Sequence, residues 1–192
     1  MSGINQKLPI LYDFLVDNYS VLKAELVDLI HHPEKIDDTN KFASLLAELN
    51  SPDFVEPLLQ KINHSIDTDV WRADFMYAAI EIIDNIDQDF DIPAGLMENL
   101  IDWLLNNTGE LAWKAASLLK YNESEQANEG RLQKLQSYDS FFLVYVECIL
   151  GLLRSSEGKY IDVIRQIAND PDRAKELKEF CEEVLEKYDD SI

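Results

Sequence analysis

Residues 69–86 constrain the fold more than any other stretch of this chain. Val70, Trp71, Ala73, Phe75, Met76, Ala79, Ile80, Ile82 and Ile83 recur at helical spacing and cover more than half of the cylinder. A helix that apolar must be packed on two sides, so the chain has to supply neighbours before and after it. Both flanks read as helices. Gly and Pro number only six each, almost every proline follows a plausible cap, and no Asn-Gly or Asp-Gly hairpin signal occurs. The fold class is therefore all-α.

The remaining elements follow from caps and periodicity. Residues 8–18 and 21–31 form two short helices, with Ser20 as the cap of the second. Thr39 or Asn40 caps 41–49, and Ser51-Pro52 opens a helix to about residue 63. Thr68 caps 69–86, Pro93 sits in the first turn of 94–107, and Thr108 caps 109–121. Polar residues 122–130 read as a loop, 131–136 as a short helix and 138–153 as the most apolar helix. Ser156 caps 157–169, and Asp170-Pro171 starts a terminal helix. Some ten or eleven helices joined by short loops imply antiparallel hairpins stacked in sequence order in one domain, residues 1–192. Trp71, Trp113 and Phe142 mark comparable places in successive units, separated by 42 and 29 residues. A four-helix bundle with added helices is the alternative architecture.

Charge narrows the function. The chain carries 37 Asp and Glu against 17 Lys and Arg, a formal net charge of −20, yet 46% of its residues are hydrophobic, so the acid is displayed on a folded object. Such a surface repels phosphate, which argues against nucleic acid and anionic membrane and in favour of a basic partner. Residues 67–102 hold 10 acids and one base. On a helical wheel Asp67, Asp74, Glu81 and Asp84 fall within about 100° of one another, with Tyr77 in the same arc. The ridge continues in sequence through Asp87, Asp89 and Asp91, and Glu98 and Asp102 share a face of the next helix. A solvated face is the plain reading. The functional one makes all ten a binding surface in which Tyr77 anchors a cationic partner and the carboxylates steer it.

Other motifs carry less. The string from Asp87 to Glu98 imitates the spacing of a calcium loop but places Ile92 where the turn needs glycine. It reads instead as an acidic loop whose Asp91 helps to cap the following helix. His31, His32 and His64 lack ligand spacing, so neither metal nor cofactor is expected. The common catalytic signatures are absent, and Glu147, inside FFLVYVECILGLL, reads as a structural carboxylate rather than a proton donor. The three tryptophans, at 71, 103 and 113, read as core. Cys148 and Cys181, far apart in apolar stretches, read as reduced core thiols. One early lysine, an apolar run broken by Asp13 and no cleavage site do not make a secretory signal, which places the protein in the cytoplasm.

The stretches LAWKAASLLKY and DVWRADFMYAAIEIID resemble the first helices of HEAT-like repeats, with small alanines among large apolar residues. The likeness spans roughly residues 68–170, and the usual repeat Pro, Asp and Arg pattern is incomplete. It implies a right-handed superhelix. A small, strongly acidic, all-helical protein of this kind is similar to the immunity proteins of bacterial contact-dependent growth inhibition systems. That resemblance implies a non-enzymatic, cytoplasmic binder that neutralises one cognate basic toxin domain, a nuclease in particular, as a 1:1 complex. A helical-repeat scaffold that binds a peptide or another protein in its concave groove is the alternative, and a glycosylase-like enzyme is disfavoured because it would need a basic groove.

Overall fold

A computed structural model describes residues 4–86, 90–155 and 158–189. Ten α-helices and two short 3-10 turns account for the secondary structure there, with no strand among the described residues. The chain divides into two compact units, residues 1–86 and 87–192.

The first unit is built round the two-sided helix. It contains α1 (Ile4–His31), a 3-10 turn at Pro33–Lys35, α2 (Thr39–Leu49), a second turn at Pro52–Phe54, α3 (Val55–Asn63) and α4 (Trp71–Asn85). The expected break at Ser20 does not occur, and α1 is one continuous helix. Tyr19 and Ser20 are exposed there and neither glycine nor proline interrupts 10–31, so nothing competes with the helical ladder. Asp38, rather than Thr39 or Asn40, caps α2 by accepting from the Lys41 amide at 3.1 Å. Asn50 then ends α2 in the left-handed region at φ 47°, a conformation Asn tolerates. Helix α4 packs against both α2 and α3, burying Phe75, Met76, Ala78, Ala79, Ile82 and Ile83. Its apolar girth is thus used on two sides. Tyr19 and Lys23 fasten α1 to the second turn through Ser51 and Asp53, with the ammonium 2.9 Å from the Asp53 carboxylate.

The second unit contains α5 (Ala94–Asn106), α6 (Glu110–Leu119), α7 (Glu125–Leu135), α8 (Phe142–Ser155), α9 (Ile161–Asn169) and α10 (Lys175–Asp189). Consecutive helices pack as pairs, α5 on α6, α7 on α8 and α9 on α10. Further contacts link α5 to α7, α6 to α8 and α8 to α10. Helix α6 occupies its place between α5 and α8 because Ala112, Ala115 and Ala116 bury almost no bulk on its inner faces.

Three boundaries differ from expectation for identifiable reasons. Residues 122–130 are not a loop: Ser124 caps α7 by accepting from the Ala127 amide at 3.2 Å, and the helix runs on through Gly130. Its inner face carries Asn128, Arg131 and Lys134, so no apolar period announces it. The terminal helix begins at Lys175 because Asp170 folds the chain back first, accepting from the Asp172 amide at 2.9 Å in an Asx turn. Thr108 does not cap α6; Gly109 occupies that position without a side-chain bond. Ser156, expected to cap α9, lies outside the described residues.

Candidate functional site

The buried charges have one sign. Among the described residues Arg72, Lys114, Arg131, Lys134 and Arg173 are buried and no carboxylate is. Long cationic side chains ordinarily keep their heads in water, so each burial needs a partner. Three find it at helix ends. Arg131 donates to the carbonyls of Leu119 and Asn122 at the end of α6, and to Asn128 Oδ1 at 2.5 Å. Lys134 donates at 2.7 Å to the Asn107 carbonyl that ends α5, and Arg173 donates to the Leu135 and Ser137 carbonyls at the end of α7. In the first unit the Lys61 ammonium takes the His31 carbonyl at the end of α1 at 3.0 Å. Each cation satisfies carbonyls that the helix cannot, and sits where the helix dipole is negative. Burial pulls the Arg131 guanidinium down to about 10, which still leaves it charged near neutrality.

The acidic ridge is less uniform than the wheel implies. Asp67 lies before α4, 95% exposed at the side chain, and accepts from Arg72 Nη1 at 3.3 Å. Asp74 is half-buried and turned towards α2, where it accepts from Thr39 Oγ1 at 2.5 Å and Asn40 Nδ2 at 3.4 Å. It sits at the positive end of that helix and joins two elements. Tyr77 and Glu81 are half-buried, and Asp84 is exposed. In the second unit Asp91, Glu98 and Asp102 are all exposed, and Asn106 donates to Asp102 at 2.7 Å. Asp91 does not cap α5, which starts after Pro93 without a side-chain bond. Asp87 and Asp89, at the start of the calcium-like string, lie outside the described residues.

Glu147 is a structural carboxylate. It lies 3.1 Å from the Lys120 ammonium, both side chains 16% exposed, and so ties the end of α6 to α8. Lys120 and Arg154 both stand over the Tyr121 ring, at 4.9 and 5.1 Å. Cys148 and Cys181 are buried free thiols, pushed up by burial to about 12 and about 11. His32 lies between Asp28 and Glu34, and His64 Nδ1 is 2.7 Å from the Gln60 carbonyl.

Of the tryptophans, Trp103 is buried while Trp71 and Trp113 are half-buried. Trp71 is the one that matters for a surface. It stacks on Phe75 at 5.3 Å, lies under the Lys61 ammonium at 5.0 Å, and lines a groove of about 470 Å³ together with Pro33, Ile36 and Val70. The turn that presents it is closed by Asp69, whose carboxylate accepts from the Ile66 amide at 2.8 Å. Sequence reasoning placed Trp71 and Val70 on the packed surface of α4 because both fit its apolar period. The buried cations also went unread, although one signal was available: Gly151 stands in the middle of the most apolar helix, where a helix has no conformational use for it.

The molecule is therefore an all-helical protein that, among the described residues, buries five of its cations and none of its carboxylates. Among the described residues no helix is long and apolar enough to cross a membrane. No protein-family model, curated protein or solved structure matches the chain.

Proposed function

We propose that this protein is an immunity protein: it binds a cognate basic toxin domain through its acidic outer surface and neutralises it, without chemistry of its own. The observation that carries this reading is the sorting of charge, with five cations and no carboxylate buried among the described residues. A cation seated on helix-end carbonyls, or paired as Lys114 is with Glu110 at 2.7 Å, adds little positive field outside the fold. With those cations drawn inside, the surface a partner meets is left dominated by carboxylates. Nucleases carry the complementary surface because they must hold phosphate, which makes an RNase or DNase the class of toxin that fits, in the bacterial cytoplasm and as a 1:1 complex.

The pairing of α5 with α6, α7 with α8 and α9 with α10, and the contacts between successive pairs, support a HEAT-like superhelical stack as the frame. Where a basic nuclease domain is encoded beside this gene, that domain is the probe. Stoichiometric loss of its activity is expected, with an association rate that falls steeply with salt. Glu98→Lys with Asp102→Lys, both on the exposed face of α5, should slow association about tenfold or more at unchanged circular dichroism. Association at the wild-type rate would remove that face from the interface. Asp74→Lys is a poor probe here, because that carboxylate also holds α2 to α4.

A further inference from the structure

Beyond the general attraction of acid for base, the first unit contains a place with a shape. The groove at the start of α4 is lined by Pro33, Ile36, Val70 and Trp71, and three carboxylates, Glu34, Asp37 and Asp69, share its lining. Val70 is 84% exposed and Ile66, in the turn before it, 63% exposed. These are the two most exposed large apolar side chains among the described residues. Asp69 folds back on the Ile66 amide, so the turn that holds Val70 out in water is itself hydrogen-bonded. A tight turn that spends its bonds on presenting a bare valine beside a half-buried indole is not a solvated acidic face.

The charges round it select the guest. Lys61 lies in the same lining, but its ammonium is already engaged by the His31 carbonyl and the Trp71 ring. Asp37 makes no hydrogen bond or ion pair among the described residues, and Glu34, which accepts from its own backbone amide, also meets the His32 ring, at 3.1 Å. Three carboxylates thus face one committed cation across an apolar patch. An anionic or purely apolar guest would desolvate these carboxylates without a cation to pair them, and Asp37 without any partner.

We propose that this groove receives a bulky apolar side chain flanked by lysine or arginine on a segment of a basic partner protein. The inference rests on the reading that the partner is basic, and adds where its anchor sits. The apolar residue covers Val70 and Trp71 while its flanking cations pair with Asp37 and Glu34, so that a small buried contact holds what the wider field has steered in.

The test needs no knowledge of the partner. The isotope-labelled protein is titrated with a seven-residue peptide of lysines with one central tryptophan, and with an all-lysine peptide of the same length. The tryptophan peptide is expected to bind about tenfold tighter and to shift the resonances of Ile66, Val70, the Trp71 indole and Asp37 saturably. Val70→Ser, at a position the fold leaves in water, should bring it back to the affinity of the all-lysine peptide. Equal affinity of the two peptides, shifts confined to other acidic faces, or indifference to Val70→Ser would overturn the groove. If the α5 charge reversals still slow the nuclease domain while Val70→Ser leaves its affinity unchanged, the groove assignment falls and the immunity reading stands. If the peptide docks at Val70 and no basic nuclease domain is bound, the groove survives and the immunity reading falls.

Discussion

Gly151 lies so close to Arg131 that a Cβ built on the glycine would overlap the guanidinium Nε. The glycine in α8 is there for the cation of α7, whose head is held on the Leu119 and Asn122 carbonyls and cannot swing away without abandoning them. In an ordinary helix interior Gly→Ala gains about 1 kcal/mol. Here the sign should reverse. Gly151→Ala is expected to cost about 1–3 kcal/mol in urea unfolding. Arg131→Met alone should cost at least about 2 kcal/mol, because buried carbonyls lose their donor. In the Arg131→Met background the alanine should become neutral or stabilising; a penalty of unchanged size there would show that some other neighbour of Gly151 is responsible.

Asp74 belongs to the fold as much as to the surface. Because it accepts from Thr39 at the start of α2, Asp74→Asn is expected to lower stability by about 1–2 kcal/mol, and Thr39→Val by a similar amount. The double variant should cost clearly less than the sum, which unfolding curves of the four proteins will measure. Additive losses would mean that the two side chains act independently.

What could be read in advance divides along one physical line. Where a helix buries apolar residues, periodicity finds it, and α4 between α2 and α3 is the clearest case. Where it buries cations, periodicity is silent: α7 turns Asn128, Arg131 and Lys134 inward, which is why 122–130 looked like a loop. The same silence hid the seats of those cations on carbonyls far away in sequence, since a Lys or Arg reads as solvated until the helix end it reaches is known. Asp74 and Glu81 share a wheel arc, yet one faces Thr39 and the other does not, because the wheel knows its own helix and nothing of the neighbour. Val70 and Trp71 were assigned to packing for a related reason. The helix starts at Trp71, one residue after the valine, and the turn before it carries Val70 out into water.

Cys148 provides a probe of opening. Burial pushes its thiol up to about 12 from an ordinary value near 9. The native protein should therefore resist a thiol reagent at pH 8 and react on the timescale of unfolding, whereas the chain in urea reacts at once. The stability that comes from keeping this thiol neutral is fully present below pH 9 and is lost as pH rises towards 12. Cys148→Ala should flatten that part of the alkaline limb. Rapid native labelling at this residue would contradict its burial.

Tyr138 and Asp170 titrate against each other. The phenol donates to the Asp170 carboxylate at 2.5 Å, which holds the carboxyl below and the phenol above their ordinary values. The Asp170 contribution is present above the ordinary carboxyl range and is lost as pH falls through its lowered value. In Tyr138→Phe the Asp170 carboxyl should titrate at higher pH by carbon NMR, and one tyrosine with a raised value should vanish from the alkaline absorbance curve. An unmoved Asp170 would assign its shift to the Asp172 amide and Arg173 instead.

The inward cations have a consequence for how such a protein changes over generations. The cations that close α5, α6 and α7 are sealed from any partner, and exposed carboxylates such as Glu98 on α5 close no helix. A lineage can therefore rewrite its outer charges one codon at a time, following a rival that alters its own surface, while the helix-end seats stay as they are. Recognition is left free to drift because structural support has been withdrawn from it.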